Sequence, residues 1–308
     1  MTTNVNAAQD KYPIKPIRFV VPFIPGAGTD ITARGLSQKM SELAGQLVVV
    51  DNRPGASGVI GLELAAKSAP DGYTIVLVSA TQSVNHNLHT HLPFDLLKDF
   101  TAVSQITSQP YCLTIHPGIN AKTAKEFIEL IRAKPNFYTY GSSGTGGLSH
   151  LAGSLMASMA KIQWIHVPYK GGAGGINDIL GGQISSQFTT IIGTWQHVKA
   201  GRMRWLAVST AKRSQAFPEL QTLAEAALPG FDINGWYGIL APATTPKPIV
   251  KALHALIAQS LQTPALNTHL LNDGSEPVGS LPETFSAHIK KEVVKYAKLT
   301  HEAGMKID

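Results

Sequence analysis

Short apolar runs alternate with helical patterns along the whole of this 308-residue chain. That alternation restricts it to an α/β fold with largely parallel sheets. Strands are expected at Ile17–Val21, Leu47–Asp51 and Tyr73–Ser79, with helices near Asp30–Ala44 and Val59–Ser68. Asp30 stands where an N-cap belongs, and Gly45 where a helix stops. A second unit opens near Leu113–His116 and runs through a helix at Thr123–Lys134. It continues with strands at Phe137–Tyr140, Trp164–Val167, Ile184–Thr189 and Trp205–Ser209, and helices at Leu148–Met159 and Gly174–Leu180. From about Pro229 a strand at Trp236–Ala241 leads into terminal helices. The length favours two domains. The expected lobes are residues 1–110 with 230–308, and residues 111–229, joined by crossings near Ser108–Leu113 and Leu228–Tyr237. Paired crossings act as a hinge, and the cleft between hinged lobes is a natural ligand site.

Two Gly-rich turns, one in each unit, join a strand to a helix: Pro22–Asp30 (PFIPGAGTD) and Gly141–Gly147 (GSSGTGG). Glycine lets backbone amides approach a guest closely, and a helix start leaves its first N–H groups unpaired with a partial positive charge. Two such ends facing each other trap an anion without a cationic side chain. Either turn alone also reads as an ordinary βα loop. The first offers amides at Ala27, Gly28, Thr29 and Asp30 and the Thr29 hydroxyl. The second offers Thr145, Gly146, Ser149 and His150. Ser79, Thr81, Gln82, Ser83 and Asn85 cluster after the third strand, where open α/β sheets place ligand residues; the same cluster also reads as a solvated loop.

Composition narrows the classes. Apolar residues make up 44% and charged residues 15%, as in a globular protein. The net charge of +6 comes from 26 Lys and Arg spread along the chain, with no basic stripe interleaved with aromatics, so nucleic acid is not an expected partner. The single cysteine, Cys112, sits in an apolar run and reads as a buried, inert thiol. No apolar run reaches the roughly 18 residues that span a membrane. The polar start MTTNVNAAQDKYP reads as the stretch after a cleavage site with a start Met in front, which implies an export signal already removed.

Catalytic motifs are missing from the pattern. GSSGTGG lacks the Lys-Ser/Thr ending of a phosphate loop, neither turn fits G-x-G-x-x-G, and no G-x-S-x-G elbow occurs. His86, His89 and His91 form an H-x-x-H-x-H set in an apparent loop, short of acidic or Cys partners, so no metal is expected. Asp30 and His150 read either as an acid–base pair or as hydrogen-bonding groups of two helix starts. No cofactor is called for. Binding of a carboxylate by amides and hydroxyls fits the polar, nearly uncharged set best, and an enzyme or a sensory protein on the same scaffold remains open.

These residues also carry a resemblance. YPIKPIRFVVPFIPGAGTDITAR, GQLVVVDNRPGASGVIG, APDGYTIVL, YGSSGTGGLSHLAG, VPYKG, GRMRWLAVST, PATTPKPIV and the terminal GMKID follow in order over nearly the whole chain. The set resembles the Bug family, periplasmic solute-binding proteins of tripartite tricarboxylate transporters. The resemblance implies a two-lobed periplasmic binding protein, type II-like, that works as a monomer, closes on a small carboxylate and delivers it to membrane permease subunits. In such proteins the loops matching Phe23–Asp30 and Gly141–His150 grip one carboxylate, partly through water. Pro25 and Ala27 depart from the family's smaller residues or glycine. Thr189 stands where many relatives carry an Asp that meets an ammonium group, so no preference for an amino acid is expected. Tyr169, Trp195 and Trp236, with Gln82 and His86, are the candidates for the distal pocket. Aromatic walls there suit a planar diacid as well as an extended aliphatic one, and the lack of Lys or Arg in both loops disfavours a tricarboxylate.

Overall fold

A computed structural model describes residues 12–88, 91–272 and 274–305. The first unit comprises β1 (Ile17–Val21), α1 (Gly28–Ala44), β2 (Val48–Asn52), α2 (Val59–Ala66), β3 (Thr74–Ser79) and α3 (Ala80–Leu88). Then come β4 (Phe100–Ile115), α4 (Ala124–Ala133), β5 (Thr139–Ser142), α5 (Leu148–Ala160), β6 (Ile165–Pro168), α6 (Gly172–Leu180), β7 (Ser186–Thr190), α7 (Ile191–Lys199) and β8 (Arg204–Val208). The chain ends with α8 (Leu223–Ala226), β9 (Asn234–Pro242), α9 (Lys247–Gln262), α10 (Pro264–Asn272), β10 (Glu276–Pro277) and α11 (Pro282–Glu302).

Local chemistry accounts for several boundaries. Gly45 takes a left-handed conformation (φ 63°) and its N–H closes on the Ser41 carbonyl, ending α1. Thr123 caps α4 by accepting from the Glu126 amide, and Thr222 with Glu225 forms a reciprocal capping box on α8. Asp30 does not cap α1. That position belongs to Ala27, and Asp30 lies inside the first turn. The stretch holding Gln82, Ser83 and His86 is not a loop but the helix α3; His89 lies outside the described residues.

Among the described residues the strands form one sheet, ordered β2-β1-β3-β9-β4-β7-β5-β6, with β8 and β10 also paired to β4. The sheet is mixed rather than largely parallel. β1 is parallel to β2 and β3, and β5 to β6 and β7, but β9 and β4 run antiparallel between these groups. β4 is the long element. Phe100–Pro110 pair with β9, whereas Tyr111–Ile115 pair with β7 and β8. Pro110, which has no N–H to give a ladder, stands at that change of partner.

The strand alternation feeds two cores. Ile17, Phe19, Val21, Ile75 and Leu77 pack under α1 and α9. Val20, Val76 and Val78 face the opposite way into a core that continues through Leu113, Phe188, Leu151, Trp236 and Tyr296. This second core runs beneath both strand groups. α11 completes it by packing on α3, β4 and α5, and Ser158 Oγ donates to the Glu302 carbonyl (3.0 Å).

Candidate functional site

The carboxyl ends of β1, β3, β5, β6 and β7 all lead into helices, and the starts of those helices converge on one cavity. Gly28 and Thr29 of α1, Thr81 of α3, Ser149 of α5, Gly172 of α6 and Thr190 immediately before α7 all line it. Five helix N-termini therefore share one space, each with a partial positive end. Among the described residues, none on the wall carries a formal charge. The cavity volume, counted as positions open to the centre of a water molecule, is ≈ 40 Å³, on the order of three waters or one carboxylate with a short tail.

The first loop is pinned from outside the cavity. Asp30 is 4% exposed and accepts from the Gly26 amide (3.1 Å), Arg34 Nε (2.9 Å) and Asn52 Nδ2 (2.9 Å). Asn52 Nδ2 also donates to the Phe23 carbonyl (3.0 Å). Burial opposes ionisation of Asp30, but the hydrogen bonds from Arg34, Asn52 and Gly26 outweigh it and hold the carboxyl below its ordinary range. With Asp30 N and Ile31 N bonded back to Ala27 O, the Gly28 and Thr29 amides lie at the free end of the helix.

The second loop is propped by histidines. Ser142 Oγ meets His166 Nε2 at 2.6 Å and accepts from the Gly144 amide (3.2 Å). The Gly146 amide donates to His150 Nδ1 (3.1 Å), and the two imidazoles stack with centroids 3.9 Å apart. Burial pushes His150 down to about 4. Burial and then the neighbouring His150 push His166 down to about 3. Both rings are neutral at pH 7. Ser143 and Ser149 share a hydrogen bond (3.1 Å) at the cavity edge.

A third turn, residues 55–58 before α2, touches the second loop. Ser57, at the backbone turn before α2 with φ 51°, donates its hydroxyl to the Thr145 carbonyl (2.6 Å). Its own carbonyl accepts from Gln82 Nε2 (3.0 Å) and Asn85 Nδ2 (3.1 Å). The Leu148 amide donates to Thr81 Oγ1 (3.2 Å). β4, β7 and β9 build the floor with Tyr111, Gln187, Phe188, Thr189, Thr190 and Tyr237. Thr189 is tied to Thr114 Oγ1 (2.7 Å), and burial raises both tyrosine hydroxyls far above their ordinary value, so they stay neutral.

A profile for the "Tripartite tricarboxylate transporter family receptor" matches residues 32–305. The chain belongs to the TctC family. It is a periplasmic solute-binding protein of the TctC and Bug class. BugT of Bordetella pertussis is 32% identical over 300 residues, covering 97% of this chain and 92% of that protein. A protein of R. palustris solved with adipate is 32% identical with a TM-score of 0.93, over 96% of this chain and 99% of that one. MatC from Rhodopseudomonas palustris with bound malate is 26% identical with a TM-score of 0.89, over 94% and 99%.

Within this TctC-family fold, Phe23, Ala27, Gly28, Thr29, Ser79, Thr81, Ser149 and Thr189 line the cavity, and other expected site residues do not. Asp30 shapes the first loop from behind, and Gln82 spans Ser79 Oγ (2.9 Å) and the Ser57 carbonyl. Ser83 is buried in α3, and His86 lies half-buried on that helix near Asp95. Thr145 and His150 bond to Ser57 and Gly146. Gly146 itself has a left-handed φ of 78°. Tyr169 donates to Asp178 Oδ2 (2.6 Å), beside the cavity rather than on its wall. Trp195 stacks on Trp205 and meets Phe217 at a tilt of 58°, and Trp236 is buried, its Nε1 donating to Glu292 Oε2 (3.0 Å), so neither supplies an aromatic wall. Sequence reasoning missed Tyr111, Ser143, Gly172, Ile176, Gln187, Phe188, Thr190 and Tyr237 on the wall, and Ser57 between the loops. Ser143 and Gln187 lay inside stretches already singled out, and Tyr111 and Tyr237 inside the two expected crossings, though nothing in the sequence aimed their side chains at the cavity.

Proposed function

We propose that this chain captures a short aliphatic dicarboxylate between its two strand groups and carries it, as a periplasmic monomer, to the permease subunits of a tripartite tricarboxylate transporter. The single observation that carries this reading is the meeting of five helix N-termini in a cavity with no charged wall residue. An anion there gains hydrogen bonds from the Gly28 and Thr29 amides and from serine and threonine hydroxyls, each worth about 1.5–3 kcal/mol with a charged acceptor. No lining carboxylate stands ready for an ammonium group. Adipate and malate in the two R. palustris structures support a carboxylate cargo, and an aliphatic one.

The pieces that touch the ligand are Phe23, Gly28, Thr29, Ser79, Thr81, Ser149 and Thr189, with Tyr111, Gln187 and Tyr237 on the floor. Capture needs no covalent chemistry. Asp30 is paired with Arg34, His150 Nδ1 accepts from the Gly146 amide, and neither side chain lines the cavity as an acid or base.

A thermal-shift panel of succinate, malate, adipate, terephthalate, citrate and a monocarboxylate tests the reading. An aliphatic diacid at 100 times its dissociation constant is expected to add about 2.7 kcal/mol of stability and to be recovered unchanged. A panel with no shift, or a chemically altered ligand, overturns it.

A further inference from the structure

Gln187 of β7 is 1% exposed on the cavity floor, and its amide makes one polar contact: Nε2 donates to the Gly172 carbonyl at 3.3 Å. Its Oε1 is buried and, among the described residues, has no hydrogen-bond partner. An orphaned buried acceptor is unfavourable, so its surroundings must dictate where it points. Oε1 sits in a slot that exists because two residues lack a Cβ. A Cβ on Gly175 would lie 1.8 Å from Oε1, and one on Gly141 would lie 2.9 Å away. The Tyr169 ring walls the same slot, 3.3 Å from both hypothetical Cβ positions, and is held by its hydroxyl bond to Asp178. Turning the amide over would set Oε1 against the Gly172 carbonyl, two acceptors face to face. One orientation is thus enforced, with the oxygen in the slot and the NH₂ group towards Gly172, which is itself on the cavity wall. Among the described residues the second N–H of that group has no partner.

We infer that Gln187 is the side chain that selects the ligand, offering its free N–H to an acceptor-only oxygen at the far end of the bound anion. The inference rests on the carboxylate reading above and sharpens it. A neutral N–H donates to a carboxylate or carbonyl oxygen and has nothing to offer an ammonium group, so Gln187 discriminates against amino acids from the floor of the site. Gly141, Gly175, Tyr169 and Asp178 then act as positioning residues for the amide.

The test compares wild type, Gln187→Met, Gln187→Glu and Gly175→Ala by calorimetric titration with succinate, malate, adipate, aspartate and glutamate, with circular dichroism to verify folding. Gln187→Met, which keeps the length but not the donor, is expected to weaken the best diacid at least tenfold. Gln187→Glu is expected to weaken it further and to raise the aspartate-to-succinate affinity ratio tenfold or more, a shift that a packing defect does not produce. Gly175→Ala, which keeps the glutamine but fills its slot, is expected to reproduce the loss. If Gln187→Met binds the best diacid within threefold of wild type, or Gln187→Glu leaves the ratio unchanged, the selecting role is overturned while the carboxylate reading stands. If wild type binds none of the five compounds, both fall together.

Discussion

Asp30, His150 and His166 show how single side chains hold the site without entering it. Asp30 fixes the first loop through Gly26, Arg34 and Asn52, so Asp30→Asn is expected to cost about 1–3 kcal/mol of stability and to loosen ligand binding. Chemical denaturation at pH 7 with a parallel titration checks both. Because its folded pKa is lowered, its stabilisation is complete above the unfolded value near about 3.9 and is lost as pH falls through the lower folded value. The histidines act higher on the pH scale. Their folded values of about 4 and about 3 lie below the ordinary 6.5, so the unfolded chain holds more protons in between. Stability is therefore expected to fall as pH drops from 6.5 towards 4, and His166→Gln to flatten that fall. Urea midpoints measured across the window decide it; a wild-type slope in His166→Gln would assign the titration to other groups. Asp30 and His150 were visible in the sequence as special positions. Their roles were not, because those depend on partners such as Asn52 and His166, which only the fold brings close.

At the scale of elements, the strand–turn–helix junctions were the legible part. β1, α1, α5 and β7 fall within a few residues of expectation because apolar runs, glycines and helical periodicity agree there. The first half of β4 was hidden. Ser104, Thr107 and Gln109 are buried polar residues in it, and Pro110 interrupts its pattern, so no apolar run announces a strand. α3 was obscured for a similar reason: Thr81, Gln82, Ser83 and Asn85 are polar yet buried against the loops they brace. Two substitutions probe the junctions. Gly28→Ala would place a Cβ 2.4 Å from Thr190 Oγ1 and 3.1 Å from the Tyr237 hydroxyl, filling the cavity; affinity is expected to fall tenfold or more with a small change in melting point. Ser57→Ala removes the hydroxyl that reaches Thr145 across the loops, and an affinity loss of about tenfold, close to one net hydrogen bond of about 1.4 kcal/mol, is expected. Calorimetry on either variant with an intact circular dichroism spectrum separates a binding defect from a folding one.

Across the whole molecule, β4 and β9 run through the middle of the sheet, and the change of partner at Pro110–Tyr111 divides the strands into two groups with the cavity between their carboxyl ends. Ser57, Thr81 and α11 reach from one group to the other. In the function proposed above, binding that draws these contacts together would exclude water and strengthen each amide–carboxylate bond. What the two groups enclose is an uncharged space ringed by helix N-termini, suited to an anion and offering no carboxylate to an ammonium group. Competition calorimetry of the purified protein with succinate, malate and adipate against aspartate and glutamate addresses that point most directly. One of the amine-free diacids is expected to bind more tightly than both amino acids; tighter binding of aspartate or glutamate than of every amine-free diacid would contradict it.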